Sequence, residues 1–235
     1  MKKHVFTLLC LLIICCLLMG CEPKSADGGT DTSAPDTTEH VCDTTPFPSD
    51  MMPVPAKPVI YFYPEVKTDI DVTLDFNGTL SFTYPEYKGI WRITAHPDGT
   101  VYDRDTGLEY SYLFWEGISN VEYDMSRGFV VKGENTAEFL RTTLAEMGLT
   151  PREYNEFIVY WLPRMQGNAY NLICFQSEDY TENAKLNITP KPDSMLRIFM
   201  AFRPLEQPIE IQPQTIKPFI RHGFCVVEWG GAEIQ

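Results

Sequence analysis

The stretch Ile70-Asp71-Val72-Thr73-Leu74-Asp75-Phe76, followed by Asn77-Gly78 and then Thr79-Leu80-Ser81-Phe82-Thr83-Tyr84, sets the character of the fold. Apolar Ile70, Val72, Leu74 and Phe76 alternate with Asp71, Thr73 and Asp75, the period-2 pattern of a half-buried strand. Asn-Gly favours the φ > 0 positions of a two-residue turn, so the spacing predicts a hairpin returning through Leu80, Phe82 and Tyr84. Upstream, Val59-Ile60-Tyr61-Phe62-Tyr63 is β-branched and aromatic and is stopped by Pro64. Downstream, Trp91–Ala95 turns through Pro97-Asp98-Gly99 into Thr100-Val101-Tyr102, and Asp105-Thr106-Gly107 leads into a strand over 108–115. The first half of the domain therefore reads as an antiparallel meander.

The pattern then changes to helical spacing. Ala137, Leu140, Leu144 and Met147 share a helix face, closed by Gly148. Thr150-Pro151-Arg152-Glu153 is a capping box with proline at the first helical position. Tyr154, Phe157, Ile158, Trp161 and Met165 continue the stripe, with Pro163 expected to end or kink it. Strands over 170–176, 196–203 and 219–229 complete the chain. The expectation is a single α+β domain over 57–235, mainly antiparallel sheet with a helix pair from the middle of the chain packed on it.

Composition narrows the function classes. Nineteen Lys and Arg stand against 32 Asp and Glu, a net charge of −13, which disfavours nucleic acid as a partner. Lys2 and Lys3 precede an apolar run over 5–19, about the length of a signal-peptide core and short for a membrane span. Residues 22–56 hold six Pro, nine Ser or Thr and seven acids, too little apolar surface to offset ordering entropy. As a flexible coil these 35 residues would span about 33 Å, a tether rather than a domain.

The junction Leu18-Met19-Gly20-Cys21 resembles the lipobox of bacterial lipoproteins. That resemblance implies removal of residues 1–20, lipidation of Cys21, and a chain held on the extracytoplasmic side of the cell membrane, with residues 21–56 as a disordered acidic tether. Acyl chains contribute ~0.8 kcal/mol for each buried CH₂, so two or three of them anchor firmly. Of the cysteines left after cleavage, Cys174 and Cys225 lie in strand-like apolar runs. Export permits a bridge between them, and buried free thiols are the alternative.

Four phrases in the folded domain resemble a recurrent set in uncharacterised exported bacterial proteins: Lys57-Pro58-Val59-Ile60-Tyr61-Phe62-Tyr63-Pro64, Tyr112-Leu113-Phe114-Trp115-Glu116-Gly117, Tyr160-Trp161-Leu162-Pro163-Arg164-Met165 and Val227-Glu228-Trp229-Gly230-Gly231. The resemblance carries no assigned activity and transfers no catalytic residue. It implies a self-contained exported module.

Site candidates come from the residues themselves. Trp115-Glu116 and Glu228-Trp229 each stand at a strand end before glycine. Tryptophan faces beside carboxylates suit carbohydrate, so Trp115, Glu116, Glu228 and Trp229 are the ligand-binding candidates. If the two glutamates met, they would also provide the acid and base of a glycosidase. Tyr110, Tyr112, Phe114 and Glu116 share a strand face by parity, which equally describes an aromatic core with a polar exit. Asp98, Asp103 and Asp105 lack EF-hand spacing and read as turn residues, and no metal, cofactor or catalytic motif is present. The leading expectation is a non-enzymatic tethered module that binds a carbohydrate or an envelope protein. The alternative is an envelope or polysaccharide hydrolase using paired carboxylates.

Overall fold

Strand β1 (Ala56–Tyr63) is buried on both faces, which accounts for its unbroken apolar run. The computed structural model describes residues 56–234. The expected signal peptide, Cys21 and the expected tether as far as residue 55 lie outside the described residues, whereas Ala56, expected in the tether, opens β1. Val59 and Tyr61 face one core together with residues of both long helices, α1 (Thr136–Glu146) and α2 (Pro151–Met165). Ile60 and Phe62 face a second core, shared with β2 (Thr68–Phe76), β4 (Trp91–Ala95) and β5 (Val101–Asp103). The architecture is therefore three layers: a helix pair, a central sheet and a smaller second sheet.

The central sheet has seven strands in the order β3-β7-β1-β12-β11-β9-β8. Its further members are β3 (Thr79–Tyr84), β7 (Leu113–Ile118), β8 (Phe129–Lys132), β9 (Tyr170–Gln176), β11 (Ser194–Leu205) and β12 (Cys225–Glu233). The second sheet has the order β10-β2-β4-β5-β6, with β6 (Glu109–Tyr110) and β10 (Ala184–Thr189). Every neighbouring pair is antiparallel except β11 with β12. The protein is thus α+β, mainly antiparallel sheet with a packed helix pair in mid-chain.

The expected hairpin at Asn77-Gly78 does not form. Strand β2 pairs with β4 and β10, while β3 crosses to the other sheet and pairs with β7. Neither Asn77 nor Gly78 has positive φ. Glycine is required there by close approach: a Cβ at Gly78 would lie 2.3 Å from the Ile118 carbonyl oxygen and 2.7 Å from the Phe76 ring. Likewise, the single strand expected over 108–115 is two, because the chain leaves the second sheet after β6 and joins the central one at β7. The turn at Pro97-Asp98-Gly99 is as read, with Gly99 at φ 90° and β4 paired to β5.

Thr150 and Glu153 form the capping box of α2, the Thr150 N–H donating to Glu153 Oε2 at 2.7 Å. Pro163 sits inside the last turn, and α2 continues past it to Met165. Strand β12 begins at Cys225, six residues later than expected, because 206–224 form an irregular strap punctuated by Pro208, Pro213 and Pro218. The Gln214 side chain ties this strap to β9, accepting from the Phe175 N–H and donating to the Phe175 carbonyl, both at 2.8 Å. Strands β8 and β10 and the short helix α3 (Glu178–Asn183) were not anticipated. Cys174 and Cys225 are buried free thiols.

Candidate functional site

The two Glu-Trp dipeptides run in opposite order along the chain, and strand parity turns that order into geometry. Trp115 and Glu228 meet between the two sheets, whereas Glu116 and Trp229 lie on the helix side. Glu228 is fully buried; its Oε1 accepts from Trp115 Nε1 at 3.1 Å and its Oε2 from Arg197 Nε at 2.6 Å. Burial disfavours charge on Arg197, but the Glu228 carboxylate outweighs it and holds the guanidinium firmly protonated. Tyr180, also buried there, has its hydroxyl pushed well above the ordinary value by desolvation, with the Glu228 charge adding to the effect. Trp115 and Glu228 therefore form a closed polar contact inside the sandwich. The two glutamates stand on opposite faces of the central sheet, so the two-carboxylate arrangement of a glycosidase is not assembled from them.

Trp229 packs under α2, with its ring centroid 5.2 Å from that of Phe157 and 6.5 Å from that of Tyr61. Glu116 alone of the four candidates is half-exposed. Its Oε1 accepts from the Lys57 backbone N–H at 3.2 Å. The Lys57 ammonium lies 4.9 Å from the Tyr160 ring centre and 5.6 Å from that of Trp229. Burial lowers its pKa, an effect that Glu156 and Glu116 oppose. Lys57 also holds φ at 54°, a left-handed conformation that costs a non-glycine residue on the order of 1–3 kcal/mol. Strain of this kind gathers where the surrounding structure holds a residue for use.

Around Glu116 the surface is an aromatic trough. Helix α2 covers β1, β12 and β11, with Trp161 against Phe202 and Gly231, and leaves the outer strands β7 and β3 bare on that face. Phe82 and Tyr84 on β3 are consequently 56% and 57% exposed. Phe82 lies edge-on to Phe114 at 5.7 Å, Tyr84 edge-on to Tyr110 at 5.2 Å, and Tyr112 edge-on to Tyr61 at 5.3 Å. The wall is one line of α2: Glu156, which accepts from the Tyr61 hydroxyl at 2.7 Å, then Tyr160, then Arg164, whose guanidinium stacks 4.2 Å from the Tyr160 ring centre. Charges of both signs border the trough: Lys57 and Arg164 stand with Glu116 and Glu156, and Arg152, one turn before Glu156 on the same line, lies 4.0 Å from its carboxylate.

Sequence reading found Glu116, Tyr112 and Phe114 here. It missed Phe82, Tyr84, Tyr160 and Arg164, whose i, i+2 and i, i+4 spacings were legible but whose exposure was not. The strain at Lys57 has no sequence signature. The turn aspartates are engaged locally: Asp98 Oδ1 accepts from the Thr100 N–H at 2.9 Å, and Asp103 from the Asp105 N–H at 3.0 Å and the Thr106 hydroxyl at 2.8 Å. Among the described residues, no cluster of three His, Cys, Asp or Glu side chains is placed to hold a metal ion. No helix among them is long and apolar enough to cross a membrane.

Comparison with known proteins adds one likeness. Over 64 residues the chain is 48% identical to an "Uncharacterized protein in bglA 3'region" of Butyrivibrio fibrisolvens, a match covering 26% of this chain and 65% of that protein. No family model and no solved structure matches.

Proposed function

We propose that the protein is a lipoprotein held on the extracytoplasmic face of a membrane through a lipidated Cys21, and that its folded domain is a non-enzymatic binding module whose aromatic trough takes a neutral saccharide. The anchor reading is supported by the charge, apolar core and Gly20-Cys21 junction of the N-terminus. The observation that carries the binding reading is the exposed pair Phe82 and Tyr84 beside half-buried Phe114, bordered by charges of both signs. Sugar C–H faces pack on aromatic rings, and carboxylate and ammonium groups at the border accept from and donate to hydroxyls. Each border cation is already engaged, Lys57 and Arg164 over the Tyr160 ring and Arg152 with Glu156, which favours an uncharged ligand over an acidic one.

Titration of the full chain in detergent with neutral and uronic-acid oligosaccharides, with released reducing ends measured in parallel, tests this. Neutral ligands should bind without product, and Phe82→Ala/Tyr84→Ala should weaken binding at least tenfold while leaving the fold intact. Binding unchanged in that double variant would refute the trough. Product lost in Glu116→Gln would refute the non-enzymatic reading and favour a hydrolase. The anchor is tested separately: Cys21→Ser should move the protein from the membrane fraction to the soluble one.

A further inference from the structure

Strand β9 stops short of its neighbour. Its last residue, Gln176, pairs with Phe199, whereas β11 extends five residues beyond that point, back to Ser194. After Ser177 the chain turns away into α3, so β11 has a neighbour only on its β12 side over 194–198. Strand parity shows which groups are left. The Phe175 N–H and carbonyl are taken by Gln214 on the far side of β9, so those of Gln176 point to Phe199, and Phe199 points back. By alternation Arg197 and Met195 point the same way as Phe199, while Ser194 points toward β12, as its bond to the Phe224 carbonyl requires. Four backbone groups, the N–H and C=O of Met195 and of Arg197, therefore face the space where β9 would have continued. Among the described residues none has a side-chain or loop partner.

That space is a cleft of about 830 Å³ bounded by the end of β9, the start of β11, α3 and the strap. On the helix side its lining is apolar: Met147, Leu196 and Ile216. On the other side stands Arg197, whose side chain is 8% exposed and whose Nη2 is buried without an acceptor. Arg127 and Lys217 stand at the cleft with no ion pair among the described residues. Asp124 and Glu178 line the same cleft and offset these two cations, which leaves the Arg197 Nη2 N–H as the unmet donor on this side. An unpaired strand segment, an apolar wall and an unmet guanidinium N–H together describe the lane of a missing strand.

We propose that this lane binds an extended peptide by strand addition to β11, with acidic side chains on the Arg197 face and an apolar one against Leu196. Laid antiparallel to β11, two ligand residues spaced i, i+2 exchange backbone hydrogen bonds with Arg197 and Met195. Their side chains fall on the Arg197 face, where a carboxylate satisfies Nη2, and the residue between them enters the Met147–Leu196–Ile216 wall. This site is independent of the aromatic trough and of the saccharide reading.

The test uses the full chain in detergent and a blocked pentapeptide, valine–glutamate–valine–glutamate–valine, with hydrogen exchange read over residues 194–198. At ten times its dissociation constant the peptide should slow exchange there about tenfold. The same peptide N-methylated at its glutamates should not, because it lacks the donors the lane requires, and a lysine-for-glutamate version should bind at least tenfold more weakly. Met195→Pro removes a lane-facing N–H and no ladder bond, so it should abolish peptide binding while far-UV dichroism is retained. If that variant fails to fold, the N-methyl comparison decides. No slowing at 194–198, equal slowing by the N-methylated peptide, or slowing that rises with protein concentration alone would each overturn the proposal, the last by assigning the lane to a second copy of the chain.

Discussion

Replacing Arg221 by methionine probes the ion pair with buried Glu153 that ties the irregular strap to the helix pair. Arg221 Nη1 donates to Glu153 Oε1 at 3.0 Å and Nη2 to Oε2, while Nε and Nη2 reach the Gly148 carbonyl at 3.1 and 2.7 Å. Glu153 is fully buried. Methionine keeps most of the side-chain volume and leaves this carboxylate without its cation, which costs about 3–5 kcal/mol. Against a typical total stability of about 5–15 kcal/mol, that loss is large. For a domain of this size it should lower Tm by about 10 °C.

The pH dependence has a definite sign. Burial pushes the Glu153 carboxyl up, but the Arg221 guanidinium and the Thr150 N–H outweigh it and hold the carboxyl below its ordinary value. Its stabilisation is therefore present above the unfolded pKa of ~4.3 and is lost as pH falls through the depressed folded value. In Arg221→Met the burial penalty is no longer offset by the cation, so a protonated Glu153 becomes the better-tolerated form. Urea unfolding at pH 7 and pH 4 should show the gap between parent and variant widest at pH 7 and narrower at pH 4. Adding Glu153→Gln should recover part of the loss at pH 7. A gap that stays constant over this range, or one below ~1 kcal/mol, would refute the assignment of Arg221 as the counter-ion of a charged Glu153.

Three further outcomes are expected. Gly78→Ala should cost about 1–3 kcal/mol or more in urea unfolding, since its Cβ meets backbone at 2.3 Å, whereas Gly107→Ala, at φ 72° with open space around it, should cost only about 1 kcal/mol. Trp115→Phe removes the donor to Glu228 Oε1 and should destabilise by about 1–3 kcal/mol while leaving the saccharide binding proposed for the trough unaltered. Burial pushes the Cys174 thiol up to about 12 and raises that of Cys225, so neither should react with iodoacetamide at pH 8 until the protein is unfolded. Mass spectrometry of the labelled protein with and without urea checks this.

Elements whose signals are local were legible in the sequence. The capping box at Thr150, the Gly148 stop, the turn at Asp98-Gly99 and the alternation of β2 depend on neighbours within a few residues, and each is where the spacing puts it. Partner choice between sheets is a different kind of information. Asn77-Gly78 marks a change of direction equally well for a hairpin and for a crossing, and Gly78 meets Phe76 and Ile118, the latter 40 positions away. The strand at 108–115 was read as one because nothing in Ser111-Tyr112 signals a change of sheet. For the site, parity grouped Tyr112, Phe114 and Glu116 correctly but wrongly added Tyr110, which lies on β6 of the second sheet and packs against the other core; whether the shared face is covered depends on where α2 ends its reach. The Glu-Trp dipeptides drew attention through shared composition, yet their reversed order sends like residues to opposite faces, one pair into a sealed interior.

Strand β1 carries the chain directly from the residues before 56 into the middle of the central sheet, paired along its length with β12 and, at Val59 and Ile60, with β7. A pull transmitted along those preceding residues would act parallel to β1 and perpendicular to its hydrogen bonds, so the ladder to β12 would be sheared as a block rather than unzipped bond by bond. Its failure would be governed by the unfolding rate of the domain rather than by the strength of any single bond. Drawn through its N-terminus against a ligand held in the trough, the domain should be mechanically stiff, with β7 beside β1 passing the load to the aromatic rings.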